Sequence, residues 1–264
     1  MNGHLPVTLI KIGGALLSQG EALRALWDGV RMLRSTCSAI VVHGGGPQAT
    51  EMARRLGHEP KIVEGRRVTS DLDLDIMHWT VRGALNVRLV AGAIRAGIPA
   101  VGISGVDGGT LQVERRPPWE IEGSRVDFGW VGDIRKVDSS LLDSLLRGGF
   151  LPILAPLGID SAGQTYNVNA DTVARSVAEA LEARRFLLIT GTGGVLRRAG
   201  DPESLLETCS AETFDLGRRE GWIRDGMLVK LKVAFDALAA GIPEVHIVSP
   251  ADVVARSGGT RVVL

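Results

Sequence analysis

The chain has 264 residues, enough for one large or two small domains, and its 45% hydrophobic and 23% charged residues are ordinary for a soluble globular protein. Its 30 basic and 30 acidic side chains cancel, which excludes a general nucleic-acid or membrane-surface binder, and no apolar run approaches the roughly 20 residues of a membrane span. Two distant cysteines, Cys37 and Cys209, lack a Cys-x-x-Cys partner, which excludes a disulfide scaffold or a cysteine zinc site and fits a reducing cytoplasm.

Met1 to Pro6 carries neither the basic region nor the apolar core of a secretion signal. Val7–Ile12 reads as a strand and leads into Gly13-Gly14; Glu21–Arg34 reads as an amphipathic helix. Ala39–Val42 is a second strand, followed by His43-Gly44-Gly45-Gly46 and by Pro47 at the start of a helix over Gln48–Leu56. Ser70 caps a long helix that Gly97 and Pro99 end near Ala96. Ala100–Ile103 is a strand running into the turn Ser104–Gly109, and Thr110–Glu114 and Val126–Val131 read as short strands of a hairpin system. Helix at Ser139–Arg147, strand at Leu151–Leu154, helix at Asp171–Glu182 and strand at Phe186–Thr190 follow. The glycine loop Gly191–Gly194 precedes a helix over Asp225–Ala240 and strands at Glu244–Val248 and Thr260–Val263. Apolar strands alternating with helices predict an α/β fold around a mainly parallel sheet covered on both faces. No linker separates independent domains; a soft boundary divides an N-terminal lobe, 1–182, from a C-terminal lobe, 183–264.

Glycine is enriched, 34 of 264 residues. Gly13-Gly14 and Gly44-Gly45-Gly46 each follow a strand and precede a helix, where backbone N–H groups and the helix dipole favour a phosphoryl group; tight turns alone are the plainer alternative. Gly44-x-Gly46-x-x-Ala49 also fits a loose dinucleotide fingerprint with Glu64 as ribose acid, but it follows the second strand and no strand ends at Glu64. The phosphate loop Gly-x4-Gly-Lys-[Ser/Thr] is absent. Only five of the basic residues are lysines: Lys11, Lys61, Lys136, Lys230 and Lys232. Lys11 interrupts an apolar strand at its carboxyl end, either costly without a partner and within reach of a phosphate above the sheet, or at an edge position in solvent. Lys230 alone reads as a solvated helix position, and Lys232 more so. Asn167-Val168-Asn169-Ala170-Asp171 offers two amides and a carboxylate at a loop-to-helix junction, equally readable as helix capping. Gly65-Arg66-Arg67-Val68-Thr69 is either an exposed basic loop or a carboxylate-binding fork.

Five segments, taken together, resemble the amino-acid kinase family, and within it the branch that acts on N-acetyl-L-glutamate. They are Ile10-Lys11-Ile12-Gly13-Gly14, Val42-His43-Gly44-Gly45-Gly46, Gly65-x-Arg67-Val68-Thr69, Asn167-Val168-Asn169-Ala170-Asp171 and Asp225-Gly226-Met227-x-x-Lys230, spread over essentially the whole chain. The resemblance implies a three-layer αβα sandwich around an open, mainly parallel sheet of about eight strands. It implies transfer of the ATP γ-phosphoryl group to the side-chain carboxylate of N-acetyl-L-glutamate, a step of arginine biosynthesis. Lys11 and Lys230 would neutralise the transferred group, and Asp171 would orient both. Gly13, Gly14 and Gly44 would form the phosphate loops. Gly45, Gly46, Arg67 and Asn167 would hold the amino acid, Arg67 through its α-carboxylate with Arg66 as a neighbour of lesser weight. Gly191, Thr192, Gly193, Gly194, Val195 and Leu196 with Trp222, Ile223 and Arg224 would border the nucleotide. Mg2+ would arrive with ATP rather than in a metal site of the protein.

Two departures stand out. Gly191 occupies a position where the family usually carries an acidic or polar residue, which bears on nucleotide contacts. Six residues precede the first strand, whereas arginine-inhibited relatives carry an N-terminal helix that joins dimers into a ring. A cytoplasmic homodimer without that feedback is therefore expected, built on the long helix, whose Leu72, Ile76, Met77, Val81, Ala84, Leu85, Leu89 and Val90 exceed one core-facing stripe. The competing readings are a kinase for aminoadipate carried on a small acidic protein and a non-catalytic amino-acid-binding module of the same fold. Gly65-Arg66-Arg67-Val68-Thr69 disfavours the first. Keeping Lys11, Asp171 and Lys230 together disfavours the second.

Overall fold

A computed structural model describes residues 5–255 and 258–264 of the chain. Its backbone is an eight-stranded sheet in the order Thr208–Cys209, Thr260–Val262, Glu244–Val248, Arg185–Ile189, Val7–Ile12, Ser38–His43, Leu151–Ala155, Ala100–Ser104. All neighbours are parallel except Glu244–Val248 with Thr260–Val262. Period-2 alternation assigns the two faces. Ile10, Ile12, Val41, Ile153 and Leu187 pack with Leu26, Val30 and Leu89 of the helices Gly20–Leu33 and Asn86–Arg95. Leu9, Ile40, Val42, Leu154 and Leu188 pack with Val173, Val177, Leu231 and Ala234 of the helices Ala170–Ala180 and Asp225–Ala239. All are buried, and each Val, Leu and Ile among them contributes about 1.5–3 kcal/mol. The chain is thus an αβα sandwich.

The long helix is real and interrupted. Ser70 caps it through a capping box with Asp73, and it runs as α-helix over Asp71–Ile76, as π-helix over Met77–Leu85 and as α-helix again over Asn86–Arg95, with Gly97 at φ +77° beyond its end. Ile76, Met77, Val81, Leu85 and Leu89 are buried, whereas Leu72, Trp79, Val87 and Ile94 are exposed.

Val126–Val131 is not one strand. Ser124–Val126 closes a small hairpin with Trp119–Ile121, and the next strand begins only at Gly132, running to Val137 antiparallel to Leu111–Arg115. Gly129 interrupts the run: its φ is +67°, and a Cβ there would lie 2.3 Å from the Thr69 carbonyl oxygen. A short helix at Ala211–Glu220 and the strands Leu157–Ile159 and Thr165–Asn167 complete features that lacked a clear sequence signal.

Candidate active site

Strand alternation that buries Leu9 puts Lys11 on the same face, one residue pair nearer the carboxyl end of the sheet. There the first turn of Ala170–Ala180 presents Asp171, whose Oδ1 lies 2.7 Å from Lys11 Nζ, with side chains only 6% and 14% exposed. Asn169 caps that helix, its Oδ1 accepting from the N–H groups of Asp171 and Thr172 at 3.0 Å each. Capping and charge pairing therefore coexist at the Asn167–Asp171 segment. Lys230 projects from the neighbouring helix Asp225–Ala239. Burial, then the charge of Lys11, hold its ammonium below the ordinary lysine range, while Asp171 pulls it partly back.

The glycine loops face each other across the carboxyl ends of the first two strands. A Cβ on Gly14 would lie 2.8 Å from Pro47 Cδ and one on Gly45 2.7 Å from a Val81 methyl, so a side chain at either would force its neighbours to move; one on Gly44, 3.3 Å from the Gly14 nitrogen, would crowd the first loop. Nothing lies within 4 Å of a Cβ on Gly46, which opens instead to the cavity. Gly14 and Gly46 each begin a helical turn, leaving their N–H groups without an intrahelical acceptor. Gln48 ties the loops together, its Nε2 donating to the Gly14 carbonyl at 2.8 Å.

His43 fixes the second loop from beneath. Its Nδ1–H donates to the Gly44 carbonyl at 2.8 Å and its Nε2 accepts from Asn86 Nδ2 at 3.0 Å, which assigns the neutral tautomer. Burial pushes its pKa down to about 4. Between pH 6.5 and 4 the unfolded chain binds a proton that the native chain refuses, so this residue lowers stability by on the order of 2 kcal/mol between pH 7 and 4.5. Urea midpoints of the protein and of His43→Asn should accordingly converge as pH falls to 4.5; a constant difference contradicts the assignment.

A cavity of about 370 Å³ joins these parts. Lys11, Gly14, Gly44, Gly45, Gly46, Arg67, Asn167 and Asp171 all line it, along with Arg66, Arg116 and Met77. Arg67 is anchored on Asp73, Thr50 and the Gly46 carbonyl. Burial pushes the Asp73 carboxyl up, but hydrogen bonds from Ser70, His58 and Arg67 outweigh it and hold the carboxyl below its usual range. Asn167 donates to Thr69 Oγ1 at 3.1 Å. Gly13 precedes the first loop without lining the cavity.

The nine residues expected around a nucleotide lie outside this cavity, Gly191–Leu196 beyond the strand Arg185–Ile189 and Trp222–Arg224 before the Lys230 helix. Val195 and Ile223 are buried in the core, and the Val195 N–H is taken by Thr260 Oγ1 at 2.8 Å. Thr192 bonds the Gly194 carbonyl, and Arg224 is the N-cap residue of Asp225–Ala239. Glu64 sits at φ +48° with Gly65 in the turn between Ile62–Val63 and Arg66–Arg67, which removes it as a ribose acid at a strand end.

Sequence reasoning missed Asp73, Thr50, Gln48, Asn86 and Arg116. Only Asp73 carried a signal, the Ser70-x-x-Asp73 spacing of a capping box.

The parallel sheet thus carries two glycine loops and the buried Lys11–Asp171 pair at the carboxyl edge of its strands, in one cavity that Lys230 does not line. Residues 6–249 match the amino acid kinase family, and the chain belongs to it. It is 41% identical over 236 residues to the acetylglutamate kinase of Methanopyrus kandleri, covering 89% of this chain and 92% of that one. It is 43% identical over 243 residues to the acetylglutamate kinase of Sorangium cellulosum, with 90% and 85% covered. Among solved structures, the N-acetylglutamate synthase of Neisseria gonorrhoeae, complexed with coenzyme A and N-acetyl-glutamate, superposes with a TM-score of 0.81 at 26% identity. That match covers 98% of this chain but 59% of the synthase. Giardia carbamate kinase shares the fold, with a TM-score of 0.68 at 12% identity over 99% of each chain.

Proposed function

We propose that the chain is an acetylglutamate kinase, transferring the γ-phosphoryl group of ATP to the side-chain carboxylate of N-acetyl-L-glutamate in arginine biosynthesis. The observation that carries this is the buried Lys11–Asp171 pair beside the Gly14 and Gly45–Gly46 amides, in one cavity with Arg67 and Asn167. A carboxylate oxygen attacks the γ-phosphorus, the bond to the β-phosphate oxygen breaks, and ADP leaves with that electron pair. The acceptor is already ionised, so no general base is required. Catalysis then rests on positioning and charge neutralisation. Lys11 meets the transferred group from the sheet, Lys230 from the nucleotide side, and Asp171 orients Lys11. Arg67 and Asn167 border the amino acid.

Residues 1–182 would form the amino-acid half and 183–264 the nucleotide half, with Gly191–Leu196 and Trp222–Arg224 bordering ATP. Among the described residues no group of three or more His, Cys, Asp or Glu gathers to hold a metal, and Asp171 is engaged by Lys11. In this reading Mg2+ would arrive with ATP, held by its phosphates. The two free, buried thiols, Cys37 and Cys209, support a cytoplasmic setting. Among the described residues no helix is long and apolar enough to cross a membrane.

A homodimer completes the proposal. Leu72, Trp79, Val87 and Ile94 recur at two-turn spacing along the long helix and are 38–61% exposed. Trp130 packs on the cluster of the buried Leu74, Ile76, Met77, Val81 and Leu85 and donates from Nε1 to Asp71, while Trp119 packs on Phe128. Light scattering at micromolar concentration should give twice the 28.0 kDa of one chain. A mass of one chain, or of six, contradicts the dimer.

The catalytic proposal is tested by ATP consumption with N-acetylglutamate, glutamate, aminoadipate, carbamate and UMP. Preference for N-acetylglutamate by kcat/KM is expected; preference for another acceptor overturns the reading.

A further inference from the structure

A chain of polar groups lies beneath the second glycine loop, between the long helix and the sheet. Asn86 opens the α-helical stretch that follows the π-helical segment, and it is 1% exposed. Its Nδ2 donates to the Ile153 carbonyl at 2.8 Å and to His43 Nε2 at 3.0 Å, and its Oδ1 accepts from Arg82 Nη1 at 3.4 Å. Two neighbours of fixed character therefore orient the amide, since a carbonyl can only accept and a guanidinium can only donate. With Nδ2 turned to the Ile153 carbonyl and Oδ1 to Arg82, the group facing His43 is a donor. The buried His43 Nε2 is then bare, and the ring proton sits on Nδ1. Gly102, on the edge strand Ala100–Ser104, leaves room for the amide: a Cβ there would lie 2.0 Å from Asn86 Oδ1.

The proton on Nδ1 governs a peptide group of the site. It is donated to the Gly44 carbonyl at 2.8 Å. The Gly44–Gly45 peptide is planar and trans, so its C=O and N–H point in opposite directions. A carbonyl drawn to His43 turns the Gly45 N–H away from the ring. The Gly45 nitrogen lies 3.4 Å from where a Cβ of Gly14 would stand, on the side of the first loop, and both glycines line the cavity. Among the described residues no backbone acceptor takes that N–H. Without Asn86, the Ile153 carbonyl loses its donor and favours the tautomer with the proton on Nε2. The Gly44 carbonyl would then face a bare Nδ1, lone pair against lone pair, and the peptide would turn.

We propose that Asn86 is a positioning residue for phosphoryl transfer: it holds His43 in the Nδ1–H tautomer and, through that ring, aims the Gly45 N–H at the transferred group. This rests on the acetylglutamate kinase reading above.

Nitrogen NMR of protein labelled in its histidine rings, at neutral pH, reads the His43 tautomer directly. Nδ1–H with a bare Nε2 is expected in the parent protein, and loss of that pattern in Asn86→Leu. Asn86→Leu should also lower kcat about 10–100-fold, the effect of misdirecting one aimed donor, with KM for ATP and for N-acetyl-L-glutamate within about three-fold. His43→Leu should lose a similar factor, and the double variant little more than either, because both changes act on one peptide group. A residue that only braces the helix would shift the unfolding midpoint and leave the tautomer and the kcat-against-KM split alone. Nε2–H in the parent, a folded Asn86→Leu with kcat within about three-fold, or losses that multiply in the double variant overturn the proposal. If Asn86→Leu does not fold, the parent tautomer and His43→Leu decide, and a kcat in His43→Leu within about three-fold of the parent overturns it. A parent protein that does not phosphorylate N-acetyl-L-glutamate overturns the functional reading, and this proposal with it.

Discussion

Replacing Lys11 by Met should lower kcat by about 10²–10³-fold while changing the KM for ATP far less. That is the cost of removing one preorganised charge aimed at the transferred group. The side chain is 6% exposed and lies beside the glycine cradle, so water cannot substitute for it. Methionine keeps most of the volume and the fold. Asp171, left without its partner, is 14% exposed and can regain some hydration or a proton. Initial rates at saturating ATP, with thermal unfolding as a control, provide the check. A kcat within a few-fold of the parent would remove Lys11 from the mechanism.

Asp171→Asn should damage both activity and stability. It leaves Lys11 as a buried ammonium facing an amide, and breaking a buried pair from one side costs about 3–5 kcal/mol. In a chain of this size that is a fall in Tm on the order of 10 °C. The same change acts on Lys230. Its ammonium is held below the ordinary lysine range by burial and Lys11, and Asp171 pulls it up. Because its folded pKa lies below the unfolded 10.5, the charged form opposes folding at neutral pH, and stability rises with pH between the two values. Activity, which needs the ammonium, is lost as pH rises through the folded value. The alkaline limb of kcat should therefore move to lower pH in Asp171→Asn. An unmoved limb with an unchanged Tm would show that the carboxylate serves only as part of the Asn169-capped turn.

The sheet was legible because its strands are buried on both faces and read as apolar runs bounded by glycine. Lys11 stood out as a charge where period-2 burial allows none. The long helix was legible from Ser70 and from Gly97, but its π-helical centre was not, since Met77–Leu85 looks like any amphipathic stretch. The Val126–Val131 reading failed at Gly129, whose positive φ is set by the close approach of Thr69, a contact 60 residues away in the chain. The arginines show the same limit more sharply. Arg66 and Arg67 are adjacent and chemically identical in the sequence. Thr50, Asp73 and the Gly46 carbonyl take the hydrogen bonds of Arg67, whereas Arg66 lies over the Trp119 ring. Lys230 likewise reads as solvated until the helix Asp225–Ala239 is packed beside Ala170–Ala180.

The most direct test of the central claim is to trap the product. An acyl phosphate is intercepted by hydroxylamine as a hydroxamate, with release of phosphate. Incubated with ATP, Mg2+, N-acetyl-L-glutamate and hydroxylamine, the protein should yield N-acetylglutamyl hydroxamate at the side-chain position, one per ADP formed. ADP formation without hydroxamate, or hydroxamate only when aminoadipate replaces N-acetyl-L-glutamate, would contradict the account.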